Sequence, residues 1–158
     1  MMHPIPLHRD ASRRPIIVVE DSDSDLDLCL QAFEANGITN PVVVLRDGED
    51  AIRYIDTHGD ARDPRFPIFV LCDLKMPKVS GFDVLRHARR HPAWSLVPII
   101  VLSTSRDELD VESAYRLGAN SFVQKPIEFD AFSETISLID RYWLRTNIPF
   151  LSQSQGPA

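Results

Sequence analysis

Only two cysteines occur in this 158-residue sequence, and neither lies where a disulfide framework would need it. Cys72 falls inside an apolar run and Cys29 inside a helical pattern, so both read as reduced core residues, which argues against a stapled, secreted domain. Long apolar stretches are missing too. A membrane helix takes about 20 such residues, and nothing here approaches that length, so no membrane association is expected. Residues 1–14 carry Arg9, Arg13 and Arg14 but no signal-type apolar segment and no small-residue cleavage site. They read as a loose arm ahead of a cytoplasmic domain. No Lys/Arg-rich block stands out and the formal net charge is -6, a balance that argues against nucleic acid as a partner. Internal repeats are absent, and residues 148–158, ending in a Ser/Gln-rich stretch, read as a flexible tail.

What is present is an ordinary globular composition, 44% hydrophobic and 25% charged, with one sharply drawn feature. The run Pro67-Ile68-Phe69-Val70-Leu71-Cys72 ends abruptly at Asp73. A short, continuous apolar run without alternation suits a strand buried on both faces of a parallel sheet. The carboxylate then sits at the carboxyl end of that strand, the edge where open α/β sheets bind ligands. Pro77 and Gly81 turn the chain away from it.

Other segments repeat the pattern. Ile16-Ile17-Val18-Val19 ends at Glu20-Asp21. Ser22 or Asp23 is positioned to cap a helix with Leu26, Cys29 or Leu30, and Phe33 inward, stopped at Asn36-Gly37. Pro41 to Leu45 is a strand, and residues 48–57 a helix with Ala51, Ile52 and Ile55 inward. Residues 58–67, with two prolines and no periodicity, read as an extended loop. Helical spacing resumes over 81–91 with Phe82, Leu85 and Ala88. A strand over 98–102 stops at Ser103-Thr104-Ser105, a helix spans 108–117, and a short strand over 121–124 ends at Lys125-Pro126. Phe129, Phe132, Ile136, Ile139 and Trp143 mark the clearest amphipathic helix. Strands alternating with helices imply parallel βαβ units with right-handed crossovers, hence one doubly wound α/β domain over 15–147.

Four strands thus deliver polar groups to one edge: Glu20-Asp21, Asp73, Ser103-Thr104 and Lys125. Converging carboxylates repel one another and resist joint ionisation. A cation relieves this, and oxygen donors with spare water positions suit Mg²⁺. A nucleophilic carboxylate, a metal, an ammonium and a hydroxyl are the parts needed to receive a phosphoryl group. His87 and His91, four residues apart on one helix, have metal-ligand spacing but no evident third ligand and read as surface residues.

In their joint spacing these residues resemble the receiver domain of two-component response regulators: Glu20-Asp21, then Asp73 with Met76-Pro77 and Gly81, then Ser103, then Lys125-Pro126. The resemblance covers residues 15–143. It implies a flavodoxin-like fold with a five-stranded sheet in the order 2-1-3-4-5. Asp73 would accept a phosphoryl group from a phosphohistidine on a sensor histidine kinase. Glu20, Asp21, Asp73 and the main-chain carbonyl of Lys75 would hold Mg²⁺, Lys125 would pair with a phosphoryl oxygen, and the Ser103 hydroxyl and Thr104 amide would bind the others. The resemblance also implies that Ser103 and Phe122 act as the switch pair and that Lys125-Pro126 is cis. Asp47-Gly48, the 58–67 loop, residues 98–106 and Tyr142-Trp143-Leu144 resemble a stand-alone subgroup that includes regulators paired with cyanobacterial and bacterial phytochromes.

Two departures from the common pattern bear on phosphoryl lifetime. Serine stands at 103 in place of the more usual threonine, and Lys75 lies two residues past the acceptor. Asp23, Asp25 and Asp27 read as a solvated helix start favoured by the helix dipole. With no effector domain expected after the last helix, output is expected through partner contact or through a homodimer built on the fourth helix, fifth strand and fifth helix. The alternative is a receiver-like adaptor that works without phosphorylation. A haloacid dehalogenase type of phosphatase is disfavoured because Lys75 occupies the position where such enzymes carry a second acid.

Overall fold

The structure, a computed structural model, describes residues 13–150. The arm expected over 1–14 and the tail expected over 148–158 therefore lie largely outside the described residues. Five strands and five helices alternate: β1 (Ile16–Val19), α1 (Asp23–Ala35), β2 (Val42–Leu45), α2 (Gly48–Thr57), β3 (Phe69–Cys72), α3 (Gly81–Arg90), β4 (Ile99–Ser103), α4 (Glu108–Arg116), β5 (Ser121–Gln124) and α5 (Phe129–Ile139). The strands form one sheet in the order β2-β1-β3-β4-β5, and every neighbouring pair is parallel. Among the described residues no helix is long and apolar enough to cross a membrane.

The continuous apolar runs fold as their burial demands. All residues of β1, β3 and β4 are buried, whereas the edge strand β2 is half-buried throughout. Alternation of side chains along each strand divides the core in two. Ile17, Val19, Val70, Cys72, Ile99 and Val101 face α2, α3 and α4 through Ala51, Ile55, Val84, Leu85 and Ala114. Ile16, Val18, Phe69, Leu71, Ile100 and Leu102 face α1 and α5 through Leu26, Cys29, Phe33, Phe132 and Ile136. Each fully buried aliphatic or aromatic side chain stabilises the fold by roughly 1.5–3 kcal/mol. Cys29 is buried and Leu30 only half-buried, which settles the inward position on α1. The two free thiols pack on opposite faces of the sheet, and burial pushes the Cys29 thiol up to about 12.

Helix starts follow local chemistry. Ser22 caps α1 by accepting from the Asp25 amide, Asp47 caps α2, and Ser80 with Asp83 forms a reciprocal capping box on α3. At the other end of the chain α5 stops at Ile139 and continues as a wider turn over Asp140–Leu144, so the helix expected to run to Trp143 is shorter. Phe132, Ile136 and Ile139 are core, Trp143 is partly buried beside them, and Phe129 is exposed.

The 58–67 loop is bound into the fold. Trp94 donates its indole N–H to the buried His58 carbonyl at 2.9 Å, Tyr54 donates to the Arg65 carbonyl at 2.6 Å, and Phe66 is fully buried against Trp94 with ring centroids 5.6 Å apart. The two histidines of α3's end have separate tasks. His87 Nε2 lies 2.7 Å from Asp56 Oδ1, while His91 Nδ1 accepts from the Ala93 and Trp94 amides.

Candidate functional site

Strand register aligns the polar termini. Val19 pairs with both Leu45 and Cys72, Cys72 with Val101, and Ser103 with Gln124. One residue further, the Glu20 amide donates to the Leu45 carbonyl at 3.0 Å, Asp73 to Val19 at 3.1 Å and Lys125 to Ser103 at 2.8 Å. The backbone ladder therefore fixes where Glu20, Asp73 and Lys125 leave the sheet. Glu20 Oε1 accepts from the Ser22 amide at 3.0 Å, and Asp73 Oδ1 accepts from the Leu74 amide at 2.8 Å. Gly81 keeps the following loop close: a Cβ there would stand 2.0 Å from the Asp73 carbonyl oxygen.

Lys125 closes the cluster. Its Nζ lies 2.6 Å from Glu20 Oε2, 2.9 Å from Asp25 Oδ2 and 3.3 Å from Asp73 Oδ2, and its side chain is only 4% exposed. Burial alone would depress the lysine pKa, but hydrogen bonds to Glu20 and Asp25 and the charges of Asp73 and Glu20 outweigh it and hold the ammonium protonated well above the ordinary value. The carboxyl pKa values of Glu20 and Asp73 are raised as well. Burial raises them, and Lys125 offsets only part of that.

Asp25 corrects the sequence reading. Expected in a solvated helix start, it instead holds Lys125, while Asp23 pairs with Arg46 outside the pocket. Side chains in a helix lean toward its N-terminus, so an acid in the first turn of α1 leans back over the strand edge. That geometry was the available signal. The Lys125–Pro126 bond is also not as expected: no cis peptide occurs among the described residues. The trans isomer is intrinsically favoured for such bonds by about 0.5–1 kcal/mol, and it leaves the Lys125 ammonium in the cluster.

On the far side, Ser103 is fully buried and ends β4, with its hydroxyl accepting from the Ser105 amide at 3.2 Å. Thr104, next in the chain, is exposed. Phe122 on β5 is half-buried against the core and its amide donates to the Tyr115 hydroxyl at 3.1 Å. Lys75 extends from the loop after β3 to Asp110 in the first turn of α4, at 3.1 Å. Sequence reasoning did not single out Asp110.

Glu20, Asp21 and Asp73 each place an oxygen within 4.8 Å of the others. With Asp25 the site holds four carboxylates against one ammonium, an imbalance that a divalent cation on hard oxygen donors would relieve. The residues present therefore fit Mg²⁺.

Comparison with known proteins identifies the family and the fold. Residues 16–137 match the family model described as the response regulator receiver domain. The chain is 38% identical to the probable methanogenesis regulatory protein FilR2 of Methanothrix harundinacea, over 90% of this chain and 88% of that one. Response regulator Rcp1 of Synechocystis is 31% identical, over 87% of this chain and 95% of its own; its Mn²⁺-bound crystal structure superposes with a TM-score of 0.76, covering 86% and 99% of the two chains. The phosphorylated cyanobacterial phytochrome response regulator RcpA superposes with a TM-score of 0.78 at 30% identity, covering 85% and 96%. Proteins of this kind are signalling switches rather than classical enzymes, and by its match over residues 16–137 and its strand order this chain belongs to the receiver-domain response regulators.

Proposed function

We propose that this protein is a phosphorylation switch with Asp73 as acceptor. The supporting observation is the Lys125 ammonium buried between Glu20 and Asp73 beside a surplus of carboxylates. Both Glu20 oxygens are engaged at 3.0 Å or less. Asp73 Oδ2, 3.3 Å from Lys125, is the more loosely held and more available nucleophile. It attacks the phosphorus of a phosphohistidine on a sensor histidine kinase. The P–N bond breaks, the imidazole leaves and takes up a proton, and Asp73 becomes an acyl phosphate.

Glu20, Asp21, Asp73 and the Lys75 main-chain carbonyl would hold Mg²⁺, which supplies neutralisation of the charge that gathers on the phosphoryl oxygens. Lys125 shifts its contacts from Glu20 and Asp73 to a phosphoryl oxygen, while Asp25 keeps one salt bridge in place. The Ser103 hydroxyl and Thr104 amide bind the remaining oxygens, and Phe122 turns inward as Ser103 moves. Likeness to RcpA, a cyanobacterial phytochrome response regulator, supports a phytochrome as the kinase. Leu109, Tyr115 and Leu138, exposed on α4 and α5, favour a homodimer across α4, β5 and α5 as the output, in the cytoplasm.

The test is intact mass after incubation with phosphoramidate and Mg²⁺, with Asp73→Asn as control and size-exclusion chromatography alongside. One added phosphoryl group that requires both Mg²⁺ and Asp73, with an earlier elution volume, is expected. Absence of any adduct would favour the adaptor that acts without phosphorylation.

A further inference from the structure

We infer that Asp110 is a latch: by holding the Lys75 ammonium and the Ser105 hydroxyl on one carboxylate oxygen, it ties the loop carrying Asp73 to the segment carrying Ser103 and opposes the phosphorylated conformation. The inference rests on Asp73 being the acceptor.

Four contacts form the chain. Lys75 Nζ lies 3.1 Å from Asp110 Oδ2. The Ser105 hydroxyl donates to the same oxygen at 2.6 Å, the Ser105 amide donates to Ser103 Oγ at 3.2 Å, and the Asp107 amide donates to Ser105 Oγ at 3.2 Å. Ser103, the hydroxyl that must turn toward a phosphoryl group, is thus restrained through Ser105 by an acid whose other partner sits two residues past Asp73. The Asp110 side chain is 17% exposed and that of Lys75 61%, so the carboxylate is the fixed member and the lysine the movable one. Hydrogen bonds from Ser105 and then Lys75 hold the Asp110 carboxyl below its usual range.

The bland role for an acid in a first helical turn is to complement the helix dipole. Capping of α4 is already done by Asp107, whose side chain accepts from the Leu109 amide at 2.9 Å. The dipole would be served by Asp110 without either partner, yet its carboxylate holds both Lys75 and Ser105. When Asp73 gains a phosphoryl group, a new dianion competes for Lys75 from two residues away. Once Lys75 leaves, only Ser105 remains on Asp110, and the Ser103 segment loses its tether to the acceptor loop.

The experiment titrates beryllofluoride with Mg²⁺ present, by calorimetry, into wild type, Asp110→Asn, Lys75→Gln, the double variant and Asp73→Asn. Asn at 110 retains an acceptor for Ser105 and removes only the charge. The latch predicts that Asp110→Asn binds beryllofluoride about two- to fivefold more tightly, the scale of one partly exposed ion pair. It also predicts that the same substitution made on Lys75→Gln gives no gain. No gain in the single variant, or an equal gain on both backgrounds, overturns the latch while leaving Asp73 as acceptor. If wild type itself shows no binding dependent on Mg²⁺ and Asp73, the acceptor reading fails and the latch falls with it.

Discussion

Replacing Lys125 with methionine keeps an unbranched apolar stem of similar length and removes the ammonium. Glu20 and Asp73, with side chains 6% and 9% exposed, are then left as uncompensated buried carboxylates. Breaking a buried pair in this way costs about 3–5 kcal/mol. Asp25 is one-third exposed and adds little, and half-buried Asp21 leaves the cluster open to water on one side, so the lower end, about 3 kcal/mol, is expected. In a domain of this size that is a fall in Tm of roughly 6–12 °C. The loss depends on pH with a definite sign. Burial already raises the Glu20 and Asp73 pKa values in the folded state, and without the ammonium they rise further. A carboxyl whose folded pKa exceeds its unfolded one favours the folded state as pH falls, so the gap between variant and wild type narrows from about pH 8 to about pH 5. The lysine contributes nothing to that slope, because its raised pKa keeps it charged throughout and its contribution is lost only at strongly alkaline pH. Mg²⁺ restores the variant more than it stabilises wild type, since no ammonium competes for the acids. Urea unfolding followed by circular dichroism at the two pH values, with and without Mg²⁺, measures all three effects. A variant within about 0.5 kcal/mol of wild type near neutral pH, the bound for an unremarkable surface site, or a gap that widens on acidification, refutes the reasoning.

Asp73→Asn relieves a carboxylate whose burial outweighs its pairing; without metal it raises the Tm near neutral pH by about 2–4 °C, the effect of ~1 kcal/mol, and the gain disappears on acidification as the wild-type carboxyl takes up its proton. A lower Tm in a thermal melt would contradict this. Gly81→Ala drives a Cβ to within 2.0 Å of the Asp73 carbonyl oxygen, so the acceptor loop must shift. The expected cost is about 1–3 kcal/mol in denaturant unfolding, with slower uptake of the phosphoryl group from phosphoramidate. Trp94→Phe strips the indole N–H from the buried His58 carbonyl, and about 1–3 kcal/mol is lost in the same assay, with phosphorylation unchanged because the 58–67 loop precedes β3, at the opposite end of the sheet from Asp73.

The residues that could be read without a structure are those that end an apolar run. Glu20, Asp21, Asp73 and Lys125 each follow a strand buried or half-buried in the sheet, and parallel pairing leaves such residues only one edge to occupy. Asp25 and Asp110 were not legible in the same way. Each lies in the first turn of a helix, where an acid is already explained by the dipole, and only the fold shows Lys125 and Lys75 reaching them. The 58–67 segment could be read as a loop from its prolines, but its anchoring depends on Trp94, nearly thirty residues beyond Phe66 in the chain. The isomer at Lys125–Pro126 turns on an energy difference of about 1 kcal/mol or less, beyond what composition can decide.

The most direct test of the central claim asks which of the four clustered acids takes the phosphoryl group. After treatment with phosphoramidate and Mg²⁺, borohydride reduces an aspartyl phosphate to homoserine, and peptide mapping locates it. Homoserine at position 73, absent when Mg²⁺ is withheld, is the predicted result. Homoserine at position 21 or 25, or none anywhere, would contradict the account.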